Sequence, residues 1–214
     1  GLDKNAAEKI YSAKGRPSDN PLIIHISEPC DAEKFAYTNE TYYKLAEVYM
    51  PGPLTVILPK KDNIPYSVTG GLDTVAVRCP GHEAARELIK SAGVPIAAPA
   101  ANISGGPSPT SAEHVAADLL GKIDMIIDGG QCEIGLESTV VTLENGKCII
   151  LRPGHINEQM LLDVCSEVQV NRAVVDPSYV NVKAASPGMK YKHYSPKAEV
   201  VLVEAPDRNA FFEY

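Results

Sequence analysis

Short apolar runs alternate with amphipathic stretches along this chain, and glycine and proline punctuate them. Ala6, Ala7, Ile10 and Tyr11 recur at helical spacing, which predicts a helix over residues 4–13, capped by Asp3 and closed by Gly15 and Pro17. Strands are predicted over 22–26, 54–58, 74–78, 94–98, 123–127 and 168–170, and helices over 39–48, 82–92, 111–120 and 157–164. The apolar runs 139–143 and 147–151 flank Glu144-Asn145-Gly146, and Asn-Gly between such runs signals a hairpin. Helices and strands alternate, yet a hairpin is present. The expected fold is therefore α/β around a mixed rather than purely parallel sheet.

After Val170 the pattern changes. Residues 171–196 are polar and proline-containing and read as a linker or an ordered loop. A fresh apolar run begins at Ala198, but one strand is not a domain. The organisation expected is a catalytic-size domain over 1–170, a linker or lid over 171–196, and the start of a further domain over 197–214, cut short at Tyr214.

Composition narrows the function classes. The chain has 214 residues, 44% hydrophobic and 22% charged, enough to build a core and too apolar for a disordered chain. A net charge of -7 argues against a large nucleic-acid footprint, though not against a local basic pocket. No apolar run is long enough to span a membrane. The five cysteines are odd in number and widely spaced, with no C-x-x-C, which suggests idle thiols in a reducing cytoplasm. Cys79 and His82 have zinc-like spacing, but no second pair follows, so no metal ligation by protein side chains is expected.

Several places can carry chemistry. Lys14 and Arg16 flank Gly15 just past a helix, where they can grip phosphate or simply complement the helix dipole. His25 lies on a strand face with Ile23, as a core histidine or a functional one. Arg78 shares a strand face with Thr74 and Ala76, where a carboxylate must meet it, whether from a ligand or from an internal Asp or Glu. The run from Pro95 to Thr110 leaves an apolar strand for a loop of small residues that lets backbone approach a ligand. It holds neither a Walker-type phosphate loop nor G-x-G-x-x-G. Ser138 opens one hairpin strand and Arg152 ends the other. No G-x-S-x-G elbow surrounds Ser138, so it is not expected to act as a nucleophile. Residues 186–196 concentrate Lys, His and Tyr, as a lid over an anion or as a solvated linker.

Taken in order, Lys14-Gly15-Arg16-Pro17, Asn20-Pro21-Leu22 with His25, Pro51-Gly52-Pro53-Leu54-Thr55, Val77-Arg78-Cys79-Pro80, Asn102-Ile103-Ser104-Gly105, Glu137-Ser138-Thr139-Val140 and Leu151-Arg152-Pro153-Gly154 resemble the YrdC-type threonylcarbamoyl-AMP synthases. Residues 186–196 resemble the interdomain linker of the long, two-domain form of that family.

The resemblance implies a twisted open sheet with flanking helices and a concave basic cavity. It implies a nucleotidyltransferase that makes L-threonylcarbamoyl-AMP from L-threonine, bicarbonate and ATP, with Mg²⁺ carried by ATP and pyrophosphate released. The product would serve a downstream tRNA threonylcarbamoyl transferase complex that modifies the adenosine next to the anticodon, in the cytoplasm. Lys14, Arg16, Asn20, Thr74, Asn102, Ser108 and Arg152 match ATP positions, with Lys14 and Arg16 acting electrostatically in catalysis. His25, Arg78, Ser138 and the backbone at Ala98 match positions around threonine, and Tyr191 and His193 are lid candidates. Two departures stand out: the family has serine where this chain has Ala100, and its Thr-x-Thr-Val-Tyr-Gly segment would lie before Gly1, so a chain shortened at both ends is expected. A non-catalytic RNA-binding or ribosome-assembly module, or a carbamoyl-adenylate-forming domain with another acceptor, are the alternatives.

Overall fold

The computed structural model describes residues 1–144 and 146–175. A seven-stranded sheet runs in the order β4-β1-β3-β2-β5-β6-β7. The strands are β1 (Ile23–His25), β2 (Leu54–Pro59), β3 (Thr74–Arg78), β4 (Ile96–Ala98), β5 (Thr139–Glu144), β6 (Lys147–Arg152) and β7 (Val168–Val170). β1 pairs parallel with β3, β2 with β5, and β6 with β7, whereas the other three neighbours are antiparallel. The sheet is mixed, as the hairpin signal required. Gly146 supports that hairpin at φ +81°.

The helices are α1 (Lys4–Lys14), α2 (Glu40–Tyr49), α3 (Tyr66–Thr69), α4 (Glu83–Ala92), α5 (Ala112–Leu119), α6 (Glu158–Leu162) and α7 (Arg172–Val175). Asp3 caps α1 by accepting from the amides of Asn5 and Ala6. Gly15, at φ +63°, ends it in the left-handed conformation, and the Arg16 amide closes back on the Tyr11 carbonyl. That turn delivers Lys14 and Arg16 to one end of the sheet.

Strand alternation sends Ile24, Val56, Val77, Val141 and Ile150 to one face, where Tyr11, Tyr42, Leu45 and Leu161 pack on them as the main core. Tyr42, Leu45 and Leu161 are each 0% exposed, and burial of each leucine contributes about 1.5–3 kcal/mol. The opposite face carries a smaller apolar patch of Ile23, Ile57, Ala76, Val140 and Leu151.

Two expectations need correction. Residues 123–127 form no strand. Their alternation meets no neighbouring ladder, and Met125 and Ile127 are 74% and 62% exposed. A strand pattern without a partner leaves its backbone groups to water. β4 is a three-residue edge strand rather than a buried one beginning at Val94, which is itself exposed. The stretch after Val170 begins with α7 and with the Asn171 amide bonded to the Ile150 carbonyl, so its first residues pack on β6. The 3-10 turn Pro29–Lys34 and α3 are too short to show a helical period. The lid candidates Tyr191 and His193, and the strand expected after Ala198, lie outside the described residues.

Candidate active site

Because β1 and β3 run parallel and in register, their last residues, His25 and Arg78, arrive side by side at the same end of the sheet. The entrance to β5 lies at that end, whereas the loop after β4, to which the α1 terminus is hydrogen-bonded, leaves the sheet at the opposite, Ile23 end. Together these segments line one hollow of about 190 Å³. Lys14, Arg16, His25, Arg78, Ser138 and Arg152 all line it, although they are scattered over most of the sequence. Ala98, Ala100, Asn102 and Ser108 line it as well.

Arg152 reaches the hollow through a defect in the sheet. Val140 pairs with Arg152, but Val141 pairs with Ile150, which leaves Leu151 as an extra residue on β6. Such a bulge shifts the alternation by one residue. Arg152 then points with Val140 instead of joining Ile150 in the core. Its guanidinium donates to the Ser138 carbonyl from Nε at 3.1 Å and from Nη2 at 2.8 Å, and Nη2 also donates to Ser138 Oγ at 3.0 Å. Ser138 is buried, and its Oγ lies 2.7 Å from Thr55 Oγ1. It is a hydrogen-bonding hydroxyl in a fixed network, and among the described residues no base is bonded to it.

Arg78 donates through Nε to the Gly52 carbonyl at 3.1 Å. Burial, and then the nearby Arg152 charge, pull its pKa below the usual value, so this guanidinium is held where its charge costs energy. Among the described residues no carboxylate forms an ion pair with it. Of the two partners that sequence left open, an internal acid is therefore not found among the described residues.

His25 Nδ1 lies 3.1 Å from the Ile23 carbonyl. A carbonyl only accepts, so Nδ1 carries the proton, and the neutral ring presents Nε2 as an acceptor. Burial first, and then Arg78, push its pKa down to about 4, against the carbonyls of Ile23 and Ile96. The ring is neutral at physiological pH.

The other expected residues divide. Asn20 is buried and does not line the hollow; its Oδ1 accepts from Arg16 Nη2 at 2.7 Å, and the Asn20 and Pro21 carbonyls take further Arg16 donors. It orients Arg16. Thr74 does not line the hollow either: it pairs with Pro59 at the far end of β3, about 13 Å along the strand from Arg78. Asn102 donates to the Gly106 and Pro107 carbonyls at 2.9 and 3.1 Å, so its amide shapes the loop from within. Ser108 donates to Glu137 Oε1. Glu137, the only acidic residue among the described residues that line the hollow, was not singled out as a site residue from sequence; its position directly before Ser138 was the one available signal.

Comparison with known proteins identifies the family and several relatives. The family model Sua5–YciO–YrdC, described as telomere recombination, matches residues 1–154, and the model for the threonylcarbamoyl-AMP synthase C-terminal domain matches residues 156–212. A threonylcarbamoyl-AMP synthase of Pyrococcus abyssi is 52% identical over 96% of this chain and 60% of its own length. One from Bacillus subtilis is 47% identical over 95% of this chain and 59% of its own. The crystal structure of P. abyssi Sua5 complexed with L-threonine superposes with a TM-score of 0.92 at 50% identity, covering 99% of this chain and 62% of that one. The chain thus spans about three-fifths of the length of the curated relatives it matches.

Proposed function

The chain belongs to the Sua5–YciO–YrdC family, and from that membership and the hollow we propose that it carries the site of L-threonylcarbamoyl-AMP synthesis from L-threonine, bicarbonate and ATP. The observation that carries the reading is Arg78. A desolvated guanidinium beside a second arginine, without an internal carboxylate partner among the described residues, calls for an anionic ligand. The carboxylate of an amino acid fits it, and the relative from P. abyssi was crystallised with L-threonine.

In this reading the threonine amine bonds to the carbon of bicarbonate, and the proton it gives up leaves with the bicarbonate hydroxide as water, which yields the carbamate. A carbamate oxygen then attacks the α-phosphorus of ATP, an oxygen–phosphorus bond forms, and the bond to the β-phosphate oxygen breaks as pyrophosphate leaves. No enzyme nucleophile is required, in keeping with the locked Ser138 hydroxyl. The protein's part is alignment and charge neutralisation. Arg78 holds the amino-acid carboxylate, neutral His25 accepts a hydrogen bond through Nε2, and Arg16 and Arg152 offset phosphate charge.

Mg²⁺ fits as a companion of the nucleotide. The described residues contain no group of three or more metal-binding side chains, so phosphates and water would supply most ligands, with Glu137 as the one carboxylate at hand. No helix among the described residues is long and apolar enough to cross a membrane. We place the reaction in the cytoplasm, upstream of the complex that transfers the threonylcarbamoyl group to tRNA.

The test is pyrophosphate release by the purified protein. Release from ATP is expected only when threonine and bicarbonate are both present, with threonylcarbamoyl-AMP as the product by mass spectrometry. Equal release without threonine would overturn the reading. Turnover with carbamoyl phosphate in place of threonine and bicarbonate would assign the domain to another acceptor.

A further inference from the structure

Lys14 is the last residue of α1 and is only 5% exposed. Its Nζ donates to the Ala100 carbonyl at 2.5 Å, to the Asn102 carbonyl, and to Asn102 Oδ1 at 3.0 Å. An ammonium has three N–H donors, and three acceptors of the loop after β4 take them. The strap runs both ways, because the Lys14 carbonyl accepts from the Ser104 amide at 2.9 Å. Asn102 passes the constraint on by donating to the Gly106 and Pro107 carbonyls, immediately before Ser108. The Ile103 amide is held from the other side by Asp118 Oδ2 at 3.0 Å.

We propose that Lys14 is a positioning residue that fixes the loop from Ala100 to Ser108 over the hollow, and that it is not a direct phosphate ligand. This departs from the role that the resemblance implies for it. A lysine that grips phosphate must aim at least one N–H at the ligand, and here that would require giving up a buried hydrogen bond to the protein. Its charge still contributes to the field of the hollow, while direct contact falls to arginines. The loop lines the space assigned to both ligands, through Ala100 and Ser108 on the nucleotide side and the adjoining Ala98 on the amino-acid side. Loosening the strap therefore disturbs both.

The inference rests on the ATP and threonine reading for its ligands, but not for its central observable. Lys14→Met keeps the length of the side chain and removes all three donors. Hydrogen exchange of the amides from Asn102 to Ser108, measured without any ligand, is expected to accelerate at least tenfold. Threonine binding without nucleotide, and binding of a non-hydrolysable ATP analogue without threonine, should weaken by similar factors. Lys14→Arg should not restore either, since a planar fork cannot converge on the same three acceptors. Loss of nucleotide binding alone, with threonine binding and loop exchange unchanged, would overturn the inference, as would full rescue by arginine. Should Lys14→Met fail to fold, Asn102→Ala decides, because it removes one acceptor of the strap. Faster loop exchange with both ligands weakened supports the strap, and unchanged exchange refutes it. If the wild-type protein binds neither ligand, the functional reading fails, and the exchange measurement still tests the strap.

Discussion

His25 and Arg78 occupy paired register positions at the ends of two parallel strands, a titratable ring beside a permanent cation. Burial first, and then that neighbouring charge, keep the ring neutral. With the His25 pKa at about 4 in the fold against an ordinary 6.5, the unfolded chain binds more protons between those values. Stability from this group is therefore complete above pH 6.5 and lost as pH falls toward 4, by at most about 3 kcal/mol. Urea unfolding across that range should show stability rising with pH, and His25→Asn should flatten the slope. An unchanged slope in the variant would remove His25 as its cause.

Arg78→Ala should raise the KM for threonine about tenfold to a hundredfold, the cost of one hydrogen-bonded charge, and raise the KM for ATP far less. Steady-state kinetics with each substrate varied in turn checks this. A larger effect on ATP would move Arg78 to the phosphates.

How much of this was legible beforehand follows from what side-chain type can and cannot encode. The β3 pattern of Thr74, Ala76 and Arg78 placed a cation on a strand face, and that strand has the expected bounds. Alternation gives the face but not the end of the strand, so Thr74 and Arg78 shared a motif yet lie apart along β3. The Leu151 bulge, which turns Arg152 into the hollow, depends on pairing with β5 and leaves no mark in β6 itself. The 123–127 expectation failed because alternation presupposes a neighbouring strand. Lys14 was recognisable as a cation near the site, but where its three donors end depends on a loop more than eighty residues away.

Gly154 should not tolerate a side chain. A Cβ there would stand 2.5 Å from the Glu137 carbonyl oxygen and 2.7 Å from the Thr139 amide nitrogen, both backbone atoms. These bracket Ser138, to which Arg152 is bonded. Gly154→Ala is expected to cost about 1–3 kcal/mol through overpacking and to lower kcat/KM, because relief of the clash displaces Ser138. Thermal unfolding and kinetics together check this. Wild-type stability in the variant would show that the β5 entrance yields easily.

Ala100 offers the converse test. Its carbonyl is held by Lys14 while the residue borders the hollow, at the position where the resemblance implies a serine. Ala100→Ser adds a hydroxyl without disturbing the strap. A hydrogen bond to a charged phosphate contributes about 1.5–3 kcal/mol, so nucleotide affinity should tighten about tenfold to a hundredfold, with threonine affinity nearly unchanged. Calorimetric titration of an ATP analogue reads this directly. No gain would mean that backbone or water already fills that place.

The strap itself should respond to pH. Burial, and then the Arg16 charge, bring the Lys14 pKa down to about 8 from an ordinary 10.5, against the pull of Asp118. Above pH 8 the folded protein sheds this proton before the unfolded chain does, so the Lys14 contribution to global stability rises with pH up to about 10.5. The neutral amine has only two donors for three acceptors, so the loop loses a hydrogen bond over the same range. Binding and global stability should therefore diverge. Affinity for both threonine and an ATP analogue is expected to fall as pH passes 8, without a matching loss of stability from this group. Titrations of each ligand from pH 7 to 9.5, beside urea unfolding at each pH, test the divergence. Lys14→Met should bind weakly at every pH and lose the step, whereas a step that persists in the variant would place the titration elsewhere.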